Sequence, residues 1–453
     1  MTSARSTSTR ADRWLGPLGL NRPELRAWAM YDWANSALMT TIITAVFPLY
    51  YADVASAGQP AGVATWRFAA ASTIGMVVIA VLAPILGALA DEKPIKKKLL
   101  GLFMAIGVTA VGGMFFIEKG DWAFASLLFI VANIGANGSF VFYDALLPHV
   151  ARPDEVDRVS TAGYALGYVG GGLLLALNLA WIMNPSWFGL PSGPGLTPSQ
   201  ETLPVRLAFV SVAVWWLVFS VPLFRTVSEP PIELKPGAGQ GGQPLREALV
   251  RLGGTLRELR RYRQGFLMLL AFLIYNDGIG TIIRMAASYG HDLGLGRNEM
   301  IASLVIVQFV GIPFAFLFGG LAGRIGPKLS ILLGLLVYVG ISVLGYFMTT
   351  ETHFFILAFL VGMVQGGTQA LSRSLFASLI PRDRSGEFFG FFAVVEKFAG
   401  IFGPLLFGLS IKLTGDARNA ILSVIPFFLV GGLLLVLVDV PAGQREAQAL
   451  EKV

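Results

Sequence analysis

Residues 28–51, WAMYDWANSALMTTIITAVFPLYY, are long enough to cross a bilayer, yet they carry Asp32 and Asn35 among apolar neighbours. A membrane-crossing helix needs about 20 predominantly apolar residues, and a carboxylate inside one costs about 2.5–3.5 kcal/mol on insertion scales. Such a segment is stable only where another part of the chain, or a wet path, compensates the charge. On a helix Trp28, Asp32 and Asn35 or Ser36 share one face by the i, i+4, i+7 spacing. That stripe is expected to form one wall of a solute path. The plainer alternative is a capping acid near the membrane surface.

The rest of the chain repeats the spanning pattern. Apolar segments fall near 28–51, 66–90, 99–117, 122–147, 158–183, 205–223, 265–289, 298–322, 328–349, 353–379, 386–412 and 418–439, which predicts an all-α polytopic membrane protein with twelve transmembrane helices. Only 14% of the residues are charged, against about 25% in a soluble domain. Residues 1–27 hold five arginines and no apolar run fit for a signal-peptide core. With that segment inside, the inner loops and termini carry 25 Lys and Arg, while the outer loops carry Lys119, Arg297 and Arg418. Positive charge marks the cytosolic side, so both termini are expected in the cytosol and the protein in a cell (plasma or inner) membrane. The net charge of +6 thus reports topology, and no nucleic-acid partner is expected.

The longest inner loop, 224–264, divides the spans into two sets of six, 28–223 and 265–439, leaving 1–27 and 440–453 as cytosolic ends. Its second part carries Leu245, Leu249, Leu252, Leu256 and Leu259 on one face with arginines opposite, the pattern of a helix lying against anionic headgroups. Residues 184–204 read as an ordinary outer loop. The halves repeat weakly, as in many transporter folds. Gly87-Ala88-Leu89-Ala90 matches Gly319-Gly320-Leu321-Ala322, Tyr143-Asp144 matches Ser372-Arg373, and Tyr31-Asp32 has a looser counterpart in Tyr275-Asn276-Asp277.

The G-x-L-A-D sequence ending at Asp91, with the basic run Lys96 to Lys98, resembles the loop signature of the major facilitator superfamily. It departs from the usual Asp-Arg-x-Gly-Arg core in reading Asp91-Glu92-Lys93-Pro94-Ile95. YDWANSA at 31–37, YDALLP at 143–148, ALGYVGG at 165–171, YNDG at 275–278 and SRSLFASLIP with EFFGFF within 372–392 resemble the autophagy-related vacuolar amino-acid effluxer family and its bacterial relatives. The resemblance implies two pseudo-symmetric six-helix bundles, alternating access and a small-solute cargo. Its eukaryotic members imply export of neutral amino acids. A drug or metabolite exporter of the same fold is the first alternative, and a non-transporting receptor or scaffold the second.

Depth along the spans picks out the remaining candidates. At a rise of about 1.5 Å per residue, Asp277 lies roughly 18 Å into span 7, and Glu396 and Lys397 about 15–17 Å into span 11. Asp277 and Arg284 share a face but stand roughly 10 Å apart along it, so each needs another partner. Buried carboxyls of this kind are expected to titrate near physiological pH, which makes Asp277 and Glu396 candidates for proton coupling. Asn133 with Asn137, and Gln365 with Gln369, are spaced to offer uncharged hydrogen bonds to a zwitterion or, equally, to glue helices together. Asn276 neighbours this set. Gly163, Gly167 and Gly171, and Gly400 with Gly403-Pro404, point to close helix packing, with bending as the alternative role.

Asp91, Asp144 and Arg373 are expected to form a cytosolic gate. Asp144 and Arg373 stand at corresponding places in the two halves, and Asp32 lies at a similar depth. The competing expectation pairs Arg373 locally with Asp383 or Glu387. No catalytic residue or cofactor is expected: there is no G-x-x-x-x-G-K phosphate loop and no cysteine. His149, His291 and His353 are too scattered for a metal site. The expected partners are a small-molecule substrate, the lipid bilayer and protons, with the protein a monomer.

Overall fold

A computed structural model describes residues 15–59, 61–230, 262–292, 297–399, 402–414 and 417–451. Among them eleven helices are long and apolar enough to cross a membrane. The described residues are all-helical, two bundles of six spans, and the spans of the first ten segments are α1 (Pro23–Ala37, prolonged by π-helical turns), α2 (Ala61–Glu92), α3 (Lys96–Gly113), α4 (Trp122–Val150), α5 (Val156–Met183), α6 (Pro198–Thr226), α7 (Arg263–Asp292), α8 (Arg297–Ile325), α9 (Pro327–Tyr346) and α10 (Glu351–Ser378).

The difference from twelve continuous spans lies in the eleventh. The expected helix over 386–412 is two helices, α11 (Ser385–Phe398) and α12 (Phe402–Thr414), and α11 ends where Ala399 adopts φ −67°, ψ 56°. The twelfth span is likewise built from α13 (Ala417–Leu422) and α14 (Ile425–Val436), and the expected tail contains α15 (Val440–Glu451). The amphipathic part of the linker, with its leucine face, lies outside the described residues, as does Gly400.

Local chemistry sets the helix starts. Proline occupies the first turn of α1, α6 and α9, where its missing N–H costs nothing. Thr197 and Gln200 form a reciprocal capping box at α6, so the segment expected as an outer loop is helical from Pro198 onward. Gly326, at φ +84°, makes the turn between α8 and α9 that a side chain would strain.

Span 1 departs from α-geometry at Leu38–Ala45 and again at Tyr51–Ala55, both π-helical. It packs in parallel against α5 through the expected glycines. A Cβ on Gly163 would collide with the Asp32 carboxylate, one on Gly167 with Ser36 Oγ (2.6 Å), and one on Gly171 with the Ser36 carbonyl (3.0 Å). Thr40 also donates to the Gly171 carbonyl at 3.2 Å. Small residues thus let a carboxylate-bearing helix approach its neighbour closely.

Candidate functional site

The two halves meet along two antiparallel helix pairs, α2 with α11 and α5 with α8. In the first, a Cβ on Gly386 would stand 2.6 Å from the Gly87 carbonyl, and one on Gly390 would stand 2.7 Å from the Ala83 carbonyl. In the second, Arg158 faces Gly323, Thr161 faces Gly319, Tyr168 faces Gly311 and Gln308 faces Gly172. The helices approach to backbone distance on the side of the molecule that carries α15 and the turns at 93–95, 151–155 and 379–384, here called the terminal face.

Arg373 of α10 crosses that seam. Its guanidinium donates to Asp144 at 3.0 Å and to Asp32 at 3.3 Å. It also donates to the Ser160 hydroxyl at 2.9 Å and to the Ser160 carbonyl at 3.0 Å. Only 4% of Arg373 and 7% of Asp32 is exposed. Three aromatic rings of the first half surround the cation, with Trp28, Tyr143 and Tyr164 centred 4.9, 5.6 and 4.7 Å away. Trp28 stacks on Tyr143 at 4.4 Å, and Tyr143 donates to Asp32 at 2.8 Å. A guanidinium suits this box because it stacks on rings while its planar N–H fork serves carboxylates. The local alternative is not realised: Glu387 accepts from Arg384 at 3.0 Å instead.

Asp91 holds the second helix pair. Its oxygens accept from the backbone N–H groups of Gly386 (2.9 Å) and Glu387 (2.7 Å), capping α11 across the seam, and Lys96 pairs with it at 2.6 Å. The chain turns from α2 to α3 without the usual glycine and arginine of the loop signature, and Lys96 supplies the cation. His149 meets Ser385 at 3.0 Å, and Asp157 accepts from Ser374 at 2.5 Å, both across the seam.

Deeper in the molecule Asp277 is 2% exposed and accepts from the N–H groups of Phe402 (3.1 Å) and Gly403 (3.0 Å). Its expected partner is therefore the N-terminus of α12, exposed by the break in span 11. Arg284 lies over Gly280 and interacts electrostatically with Asp277 and Glu396, and Glu396 in turn with Asp144 and Tyr164. The Lys397 side chain lies outside the described residues.

The amide candidates fall in three settings. Asn133 and Asn137 donate to carbonyls one turn back on their own helix, Phe129 and Asn133, each at 2.9 Å. Gln365 lines a largely apolar cavity of about 110 Å³ inside the second bundle, with Leu357, Val361 and Phe407, and Gln369 is half-buried one turn further along. Asn35 Nδ2 and Asn276 Oδ1 are buried without a hydrogen-bond partner. Trp28, Ser160 and Tyr164 were not singled out from sequence as partners of Arg373. Of these Trp28 alone left a trace, since the i, i+4 spacing already puts it on the face of Asp32.

The family model described as "Vacuole effluxer Atg22 like" matches residues 67–448. An MFS-type transporter of Bacillus subtilis (strain 168), YxiO, described as uncharacterized, is 38% identical over 426 residues, covering 91% of this chain and 94% of that protein. Autophagy-related protein 22 of Yarrowia lipolytica is 27% identical over 330 residues, which is 67% of this chain and 54% of the fungal protein, so the match spans about half the length of that relative. The fold is that of the MFS transporter FucP in its outward conformation (TM-score 0.66, 12% identity, 92% of this chain and 100% of that one). The proton:xylose symporter XylE has it too (TM-score 0.66, 13% identity, 97% and 99%). Taken with the family match over residues 67–448, the chain belongs to the Atg22-like vacuole effluxer family of major facilitator superfamily transporters.

Proposed function

We propose that this transporter works by alternating access as an exporter of a small solute, with neutral amino acids as the first cargo to test, and that the Arg373 cluster is its cytosolic gate. The observation that carries the reading is the buried triad of Arg373, Asp144 and Asp32, which ties span 10 of one half to spans 1 and 4 of the other. A contact of this kind has a reason to be ionic rather than apolar, because it must be remade in every cycle and its charges can be rehydrated when it opens. The halves 28–223 and 265–439 rock against each other, and the distribution of Lys and Arg supports a cytosolic terminal face.

Proton coupling, in this reading, runs through Glu396. Asp277 accepts from two backbone N–H groups, whereas Glu396 is half-buried and interacts electrostatically with both Asp144 and Arg284. A second cargo class is favoured by the cavity beside Gln365, whose apolar lining suits an apolar drug or metabolite. Efflux of labelled neutral amino acids from proteoliposomes, with and without a proton gradient, tests the proposal. Flux abolished by Arg373→Met and uncoupled from the gradient by Glu396→Gln is the expected result. Flux of no amino acid, with uptake or release of an apolar compound instead, shifts the cargo to the second class.

A further inference from the structure

Above the Arg373 layer, one ring of the first half enters the second. Tyr168 lies one helical turn beyond Tyr164, roughly 18 Å from the start of α5, and so near the middle of a bilayer about 30 Å thick. Its ring occupies a slot between α8 and α10 that exists because both helices carry glycine there. A Cβ on Gly311 would stand 2.9 Å from two ring carbons, and one on Gly366 would overlap the ring edge and stand 3.0 Å from the hydroxyl. Real Cβ atoms do not approach that closely, so either side chain would displace the ring. Tyr168 is 9% exposed, and that burial depends on the opposite half.

We propose that Tyr168 is a mid-depth plug of the solute path, seated between Gly311 and Gly366 when the terminal face is shut and withdrawn when it opens. The inference rests on the alternating-access reading. Its physical basis is that the Arg373 cluster alone is a weak barrier. Ion pairs are strong where water is excluded and weak where it enters. An aromatic ring filling the slot one turn above the cluster excludes water with apolar surface. Position 168 needs the ring, and positions 311 and 366 need its absence of a counterpart. The Tyr164 ring one turn below stacks on Arg373 at 4.7 Å, so both layers are carried by one face of α5 and move together.

The chain has no native cysteine, so the distance across the terminal face can be read from spin labels at Asp154→Cys and Arg324→Cys, both exposed and on opposite halves. The measured quantity is the ratio of long-distance to short-distance populations in the full-length protein, by double electron–electron resonance. Tyr168→Ala and Gly366→Ala are each expected to raise that ratio by about tenfold or more, with the larger rise for Tyr168→Ala because an emptied aromatic site costs more than an overpacked contact. Tyr168→Phe should leave it unchanged, because the ring and not the hydroxyl fills the slot. In the Tyr168→Ala background, Gly366→Ala should add nothing, since the ring it would strike is gone. Gly311→Ala meets the same ring from α8 and serves if Gly366→Ala does not fold.

The plug is overturned if Tyr168→Ala and the glycine variants keep the wild-type ratio, or if Gly366→Ala acts equally with and without the ring. If Arg373→Met also leaves a single unchanging short distance, it is alternating access that fails, and the plug with it.

Discussion

Removing the cation from the seam should unbalance the transporter more than removing either carboxylate, for a reason of charge count. Arg373 faces Asp144 at 3.0 Å and Asp32 at 3.3 Å, with the three side chains 5%, 16% and 10% exposed. The cluster therefore sets two carboxyl groups against one guanidinium. Arg373→Met leaves two buried carboxylates with no counter-ion, a change that costs about 3–5 kcal/mol when one member of a buried pair is deleted. Asp144→Asn instead leaves one cation facing one carboxylate, and the loss is that of a charged hydrogen bond, about 1.5–3 kcal/mol. The closed terminal face bears both penalties and the open one does not, because water then reaches the groups. The shift toward the open state should accordingly be roughly tenfold larger for Arg373→Met than for Asp144→Asn, taking about 1.4 kcal/mol per factor of ten. The assay is the spin-label distance between positions 154 and 324, with flux in proteoliposomes measured in parallel. Charge exchange refines it. Asp144→Arg should stop transport, and adding Arg373→Asp should restore only part of it, since Asp32 would then face a like charge. Adding Asp32→Asn to the exchanged pair should restore more. Arg373→Met with the wild-type distance balance, or an exchanged pair no better than the worse single variant in protein that is still folded, refutes the gate.

Other outcomes follow from the same geometry. Asp91→Ala removes the cap of α11 and strands the buried Lys96, so thermal unfolding should fall by the equivalent of about 2 kcal/mol or more, while Asp91→Asn, which keeps an acceptor, should lose less. Gly163→Ala places a methyl against the Asp32 carboxylate and should cost about 1–3 kcal/mol and most of the flux, whereas Gly340→Ala, which meets no atom within 4 Å, should stay within about 0.5 kcal/mol of wild type by the same melting assay. Asp277→Asn retains an acceptor for the α12 N-terminus and should keep gradient-driven transport, with Glu396→Gln losing it.

What the sequence disclosed depended on periodicity and charge. Helix count, the paired halves and the approach of Arg373 to Asp144 all leave a trace that can be counted, because apolar length, the placement of Lys and Arg, and a repeat offset of 229 residues are one-dimensional. The glycines of α5 were legible as packing residues for the same reason, since Gly163, Gly167 and Gly171 fall on one helical face. The two-piece eleventh span was legible only as a bend at Gly400 and Gly403-Pro404: EFFGFFAVVEKFAGIFGPLLFGLSIKLT is mostly apolar, and hydropathy cannot distinguish one helix from two end to end. Nor was the aromatic box, because Trp28, Tyr143 and Tyr164 come from three separate helices and become one surface only when α1, α4 and α5 pack. The direction in which an amide points was equally hidden. Asn133 and Asn137 share a face as expected, yet each N–H group turns back to its own helix.

The carboxylates in the spans raise a single energetic question, and the structure answers it in two ways. Each needs several kcal/mol of compensation at membrane depth. Asp32 and Asp144 obtain their counter-charge from a cation on the opposite half, so that part of their stabilisation exists only while the halves are joined, although Asp32 keeps the hydrogen bond from Tyr143 of its own half. Asp277 obtains its compensation from backbone N–H groups within its own half, where it persists whatever the halves do. Asp91 combines the two, with Lys96 beside it in its own half and the N-terminus of α11 across the seam. Span 11 is thus held at both of its helix starts by carboxylates, but on different terms. In the alternating-access reading the cap on α11 would break when the terminal face opens and the cap on α12 would not, and a helix interrupted after Phe398 would let its first half follow one partner without dragging the second from the other. The break is also what supplies Asp277 with its donors, since a continuous helix has no free N–H groups at mid-depth. The buried acid and the broken helix are therefore one feature, each removing the cost of the other.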